Sequence, residues 1–262
     1  MRTKSKEWFK RKSTFQIVLS VFVSIIMITC LLRGAYQSVF LCVLTLLLFD
    51  IPIIANKVLK VTLPKELEII ILLFIFAAEI LGELGSFYTH IPWWDTMLHT
   101  VNGFLMAAIG FAIIDILNNS PKFHINLSPI FVAVVSFCFS MTIGVLWEFF
   151  EFAGDMLIGT DMQKDHVIHE ISSVALNPSG LNDVVNIPNI TGTALLENGE
   201  IVYVIENGYL DVGIIDTMKD LIVNCIGAVV FSVIGYFYIV GRNKGVFASK
   251  FIPQYTPDEK AN

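Results

Sequence analysis

The stretch IFVAVVSFCFSMTIGVLWEFFEFAGDM, residues 130–156, combines a long apolar run with three acids near its end. Residues 130–147 contain no charged side chain, and a helix needs about 20 such residues to cross a bilayer. Glu148, Glu151 and Asp155 follow at i, i+3 and i+7, a spacing that places them on one helix face. The pattern predicts a membrane-spanning helix with a row of carboxylates close to one membrane surface.

Five further apolar runs of similar length occur along the chain, and the composition agrees with a polytopic membrane protein. Hydrophobic residues make up 55% of the 262 residues and charged residues 15%, whereas soluble domains contain about 25% charged residues. The fold class is therefore predicted to be all-α, a polytopic membrane helix bundle with about six transmembrane helices. The predicted spans are residues 15–32, 36–55, 67–86, 97–117, 130–152 and 219–240.

The distribution of lysine and arginine predicts how these spans are oriented. Fourteen of the seventeen Lys and Arg residues fall on one side of a six-span arrangement, and the other side has Arg33, Lys164 and Lys219. Because basic residues concentrate in cytoplasmic loops, we expect a multi-pass protein of the bacterial inner (plasma) membrane. Its basic tails, residues 1–14 and 241–262, are then cytoplasmic. The lipid bilayer is the expected partner, and the net charge of −6 disfavours nucleic acid.

The predicted extracytoplasmic segment, residues 153–218, separates the first five spans (15–152) from the sixth (219–240). The apolar run from Ile201 to Ile205 lies between two Asn-Gly pairs, the dipeptide favoured in tight hairpin turns. We therefore expect a small cap that contains a β-hairpin. The four cysteines all fall in apolar stretches and predict no disulfide framework.

Polar residues recur at the outer ends of four predicted spans. In three of these spans they are spaced four residues apart, so within each helix they share one face. Glycines on the same faces would allow the helices to approach closely. We therefore expect the helices to direct these groups toward a common centre. The set consists of Glu79, Glu83, Asp95, His99, Glu148, Glu151, Asp155, Asp216, Asp220 and Asn224.

Eight carboxylates with few basic neighbours cannot all ionise at one site without compensation. Three interpretations follow: a divalent metal (Mg, Mn, Ca or Zn) bound by a subset of the groups, a hydrated polar core whose acids share protons, or ordinary helix-end acids that face water. Asp95, His99, Glu148 and Glu151 are the strongest candidates for catalytic ligands or a general base. The remaining residues of the set would complete or orient the site.

Three motifs resemble those of the YjdF-type bacterial inner-membrane family and, more distantly, those of the VanZ-like proteins. They are WWDTMLH at residues 93–99, WEFFEFAGD at 147–155 and DTMKDLIVNCIGA at 216–228. The resemblance covers roughly residues 65–240. It implies a helical membrane fold whose site residues lie in these three motifs. The chain differs from the VanZ-like pattern by its long outer segment and by the absence of an arginine from the middle motif.

The residues predict an integral membrane protein whose outward-facing acid and histidine cluster acts on a lipid-linked or envelope substrate. If the protein is an enzyme, the expected reaction is metal-assisted hydrolysis or transfer. Two alternatives stay open. Acids within a bundle can also carry ions, which would make the protein a proton- or cation-coupled transporter. In a non-catalytic scaffold or sensor, the acids would only stabilise helix packing.

Overall fold

The computed structural model describes residues 12–59, 61–118, 127–241, 250–252 and 254–255. Within these residues, five apolar helical segments are long enough to cross a membrane, and they confirm the predicted helical membrane fold. The predicted basic tails lie for the most part outside the described residues. The five segments are Thr14–Leu32, Tyr36–Lys57, Trp94–Asp115, Pro129–Ile158 and Ile214–Val240.

The first two spans are joined by a short turn at one end and are held by polar contacts at the other. Helix α1 covers Thr14–Leu32, and the second span consists of α2 (Tyr36–Leu48) and α3 (Ile51–Leu59). The Gln16 Nε2 donates to the carbonyl of Phe49 at 2.7 Å and to Asp50 Oδ1 at 3.0 Å. These bonds satisfy a main-chain acceptor exposed where α2 gives way to α3.

The third predicted span, residues 67–86, differs from the prediction because two types of helix follow each other there. Helix α4 covers Lys65–Ile75 and continues as a π-helix over Phe76–Leu84. Neither part alone has the length of a span, which is why five segments rather than six meet that criterion. In a π-helix the backbone bonds reach from i to i+5 rather than from i to i+4, so Glu79 and Glu83 lie in a different helix type from the one predicted.

Three long helices form the rest of the membrane region. After the short helix α5 (Phe87–His90), they are α6 (Trp94–Asn118), α7 (Pro129–Ile158) and α8 (Ile214–Val240). Contacts divide the chain into two compact units, residues 1–144 with 221–262 and residues 145–220. The boundary passes through α7 and α8.

In the first unit, aromatic rings fill the core between α6 and α8. Phe111 and Phe231 are fully buried, with ring centroids 5.9 Å apart. Phe111 also packs edge-on against Tyr238. Apolar side chains such as Phe237 and Phe40 are instead more than 60% exposed, as expected of residues that face lipid rather than water.

Short strands pair two by two, one pair in the first unit and three in the second. In the second unit, the predicted β-hairpin is confirmed, and its turn has positive φ at Asn198 (54°) and Gly199 (88°), as a type I′ turn requires. All four pairs are antiparallel: β1 (Val61–Thr62) with β8 (Gln254–Tyr255), β2 (Val167–Ile168) with β7 (Tyr209–Leu210), β3 (Ile171–Ser173) with β4 (Val185–Ile187), and β5 (Gly192–Glu197) with β6 (Glu200–Glu206).

Candidate functional site

Asp95 and His99 lie in the first two turns of α6. The start of this helix is fixed by Trp94, which is buried and packs edge-on against Phe87 with ring centroids 4.8 Å apart. One turn later, His99 Nε2 lies 3.5 Å from Asp95 Oδ1. The imidazole is buried, whereas the Asp95 side chain is one-third exposed. The structure thus brings together an acid and a histidine that the sequence places four residues apart.

A buried polar contact joins three helices one turn further along α6. Asn224 on α8 is fully buried, and its Oδ1 accepts a hydrogen bond from Asn102 Nδ2 at 3.2 Å. Its Nδ2 lies 3.6 Å from the sulfur of Met141 on α7. Ser140, also on α7, donates to the carbonyl of Gly103 at 2.8 Å. Polar side chains therefore hold these helix turns at one level, an arrangement common between membrane helices.

Asp220 precedes Asn224 by one turn on the same helix and is 3% exposed. Asp95, His99 and Asp220 can each offer one ligand atom, and these three atoms lie within 4.8 Å of one another. Of the acids, histidines and cysteines in the described residues, this is the group whose spacing suits a metal ion. We call it the acid–histidine group. It combines two carboxylates with one imidazole.

The three acids of α7 have other surroundings. Glu148 and Glu151 are buried, and Trp147 Nε1 donates to Glu151 Oε1 at 2.8 Å. Asp155 closes the loop that follows the helix: its Oδ1 accepts from the main-chain N–H of Met162 at 2.6 Å, and its Oδ2 accepts from that of Gln163 at 2.8 Å. Both oxygens of Asp155 are thus engaged by the chain itself.

The remaining candidates also lie outside the acid–histidine group. Glu79 and Glu83 belong to the π-helix, and Asp216 Oδ2 accepts a hydrogen bond from the main-chain N–H of Lys164 at 2.7 Å. The structure therefore brings three of the ten predicted residues to metal-ligand spacing and places Asn224 one turn away from one of them.

Two acids that the sequence analysis did not single out, Asp211 and Asp165, lie in the loops of the second unit. Asp211 accepts hydrogen bonds from the main-chain N–H groups of His166 at 2.6 Å and Ile215 at 2.8 Å. Burial alone would raise the pKa of Asp211, but these hydrogen bonds outweigh it and hold the pKa below its usual value. Asp165 has the opposite shift, since burial and the nearby carboxylate of Asp161 raise its pKa. A signal for Asp211 existed, because an aspartate shortly before a helix is a typical cap.

Comparisons with known proteins agree with the membrane fold. The family described as "Predicted membrane protein (DUF2238)" matches residues 14–241. This match confirms the resemblance to the YjdF-type family, which is the same family, whereas the similarity to VanZ-like proteins stays a prediction. An uncharacterized protein of Thermotoga maritima is 24% identical over 107 residues, 41% of this chain and 53% of the relative, so the chain spans about half the length of that relative. No solved structure matches.

Proposed function

We propose that this chain, which belongs to the predicted membrane protein family DUF2238, binds one divalent cation through the acid–histidine group. The observation that carries the proposal is the spacing of the three ligand atoms of Asp95, His99 and Asp220, all within 4.8 Å. Two carboxylates this close repel each other unless a proton or a cation intervenes. Carboxylate oxygen combined with imidazole nitrogen suits Zn²⁺ or Mn²⁺.

The number of ligands supports a reactive site rather than a structural one. Structural zinc sites are closed by four protein ligands, whereas catalytic sites use three and keep a position for water or substrate. A divalent cation in such a site polarises a phosphoryl or carbonyl oxygen of the substrate. The residues of this chain would hold that cation and exclude bulk water, since His99 and Asp220 are both buried.

The positions of the ligands along their helices support a lipid-linked substrate. Asp95 and His99 are one and five residues beyond Trp94, where α6 starts, and Asp220 is six residues beyond Ile214, where α8 starts. With a rise of about 1.5 Å per residue, the ligands lie within about 10 Å of the helix ends. An anionic head group reaches this depth from the surface, and a bound cation would attract it.

The orientation and the proton-transfer residues belong to the same proposal. The Lys and Arg distribution supports cytoplasmic termini and a site that faces outward from the bacterial inner membrane.

Glu148 and Glu151 are proposed as general-base candidates, because both are buried on α7 and Trp147 orients Glu151. A relationship to VanZ-like proteins, supported by the three shared motifs, would extend the same site to that group.

Metal binding by the detergent-purified protein tests the proposal. Wild-type protein is expected to bind one Zn²⁺ or Mn²⁺ with micromolar or tighter affinity. Asp220→Asn is expected to weaken binding by about 100-fold or more, because loss of an outer-shell partner alone costs about 10–100-fold. The matched control is Glu200→Gln, which removes an exposed carboxylate from the hairpin and should leave the affinity unchanged.

Two results would reject the proposal. One is a wild-type protein that binds neither cation at micromolar concentration, and the other is an Asp220→Asn variant that binds as well as wild type. Uptake of the cation into proteoliposomes that depends on Asp220 would instead assign the site to transport.

A further inference from the structure

Asn224 is enclosed by all three of the long helices α6, α7 and α8. Its side chain is fully buried within the membrane region, where a polar group is costly unless it has partners. Asn102 on α6 donates to its oxygen, and Met141 on α7 contacts its nitrogen. These partners fix the amide from two sides, and α8 supplies the amide itself.

Glycines make the enclosure too tight for any other residue to fit without movement. A Cβ added at Gly103 would overlap the carbonyl oxygen of Asn224, and one added at Gly144 would lie 2.7 Å from Asn224 Nδ2. One turn further, a Cβ at Gly227 would overlap the carbonyl oxygen of Thr100. The backbones of α6 and α8 therefore touch at two successive turns, which small residues make feasible in membranes.

We infer that Asn224 is a positioning residue that sets the register of α8 against α6 and so places Asp220 at ligand distance from His99. The inference rests on the proposed function. His99 precedes Gly103 by one turn of α6, and Asp220 precedes Asn224 by one turn of α8. Because a helix turn is held by its own backbone bonds, a shift of α8 at Asn224 displaces Asp220 by a similar distance.

This reasoning also explains why the position carries an asparagine. A leucine has a similar branched shape, but it offers nothing for Asn102 to bond and would leave that half-buried donor without this partner. The hydrogen bond between Asn102 and Asn224 can form at only one rotation and one axial position of α8 relative to α6. An apolar contact would allow the two helices to slide past each other. Loss of the amide should therefore alter the geometry of the cation site more than the stability of the fold.

Binding of Co²⁺ to the purified full-length protein tests the inference, because its visible absorption reports the ligand geometry. Asn102→Leu removes one hydrogen bond, and Asn224→Leu removes both contacts. Each is expected to weaken Co²⁺ binding by about 10–100-fold, the range for residues that orient metal ligands, and to change the shape of the absorption bands. Gly103→Ala, which pushes the helices apart, should have the same effects.

Gly235→Ala is the matched control. It lies on the same helix, and its Cβ would stand 2.7 Å from the ring of Phe111, but it is four turns from Asp220. It should lower the melting temperature as Gly103→Ala does, yet keep the wild-type affinity and spectrum. Wild-type protein that binds no Co²⁺ overturns the proposed function and this inference together. Wild-type protein that binds Co²⁺, with Asn102→Leu and Asn224→Leu indistinguishable from it, overturns this inference alone.

Discussion

Asp95 and Asp220, near the starts of α6 and α8, differ from Asp155 and Asp211 in what surrounds their oxygens. Asp155 and Asp211 each accept two main-chain N–H hydrogen bonds from nearby residues. Asp95 instead lies 3.5 Å from the imidazole of His99. The backbone therefore binds the carboxylates of Asp155 and Asp211, whereas the acid–histidine group combines side chains that can all bind one cation.

This difference shows that the number of acids is a poor guide to function in this chain. A carboxylate whose oxygens accept main-chain N–H groups closes a loop, and moving it to a metal would break that loop. The carboxylates of Asp95 and Asp220 instead lie where they and the imidazole of His99 can reach one cation. The surroundings of the oxygen atoms therefore separate the two classes of acid, and each prediction below tests that separation.

The largest effect is expected when one acid of each class is neutralised. Asp95→Asn should lower the affinity for Zn²⁺ by about 100-fold or more and leave the melting temperature of the metal-free protein within a few degrees of wild type. Asp211→Asn should do the reverse, with unchanged affinity and a loss of about 1 kcal/mol of stability, as for a lost helix cap. Isothermal titration calorimetry and thermal unfolding in detergent measure the two quantities. Equal effects of both variants on affinity would remove the distinction.

A second prediction concerns the helix contact on which the acid–histidine group depends. Gly227→Ala places a methyl group against the carbonyl oxygen of Thr100, and overpacking of this kind costs about 1–3 kcal/mol. Ile226→Ala, next to it but 53% exposed, should cost less, because its side chain faces lipid. Chemical unfolding of both variants in the same detergent gives the comparison. A Gly227→Ala variant as stable as wild type would show that α6 and α8 are not held at this turn.

The sequence predicted the elements that depend on local composition. The predicted span 15–32 matches Thr14–Leu32 almost residue for residue, because an uncharged run has one stable state in a bilayer. The hairpin was predictable because Asn198 and Gly199 tolerate the positive φ of its turn. The π-helix was not, since an apolar composition is compatible with both helix types, which differ in the carbonyl that each N–H selects.

The candidate site was predictable only in part, for a related reason. Asp95 and His99 share one helix, so their spacing of four residues was enough to bring them together. Asp220 depends on the packing of a second helix more than 100 residues away, and the sequence offered it as one acid of many. Asp155 is the opposite case, since the sequence predicted it in the site and the structure places it elsewhere. It accepts hydrogen bonds from Thr160, Met162 and Gln163, and no periodicity of the sequence encodes these contacts.

A smaller effect is expected from acidification of the second unit. The pKa of Asp211 is lowered in the folded protein by its main-chain hydrogen bonds, against the effect of burial. Its ionised form therefore stabilises the fold above the unfolded pKa of about 3.9, and this contribution disappears as the pH falls through the lower, folded value. The melting temperature of wild type should thus fall toward that of Asp211→Asn below about pH 4. A difference between them that is constant from pH 7 to pH 3 would contradict this assignment.

The smallest effect is expected at Asp165, whose pKa is shifted the other way. Burial and the carboxylates of Asp161 and Asp211 raise it, so the ionised form opposes folding above the folded pKa and the penalty is relieved as the pH falls through that value. Asp165→Asn should therefore raise the melting temperature slightly at pH 7 and lose this advantage in acid. Because Asp165 is exposed, solvent screens the repulsion and keeps the gain small. Destabilisation by Asp165→Asn at pH 7 would show that the hydrogen bond from the main-chain N–H of Gly213 outweighs this repulsion.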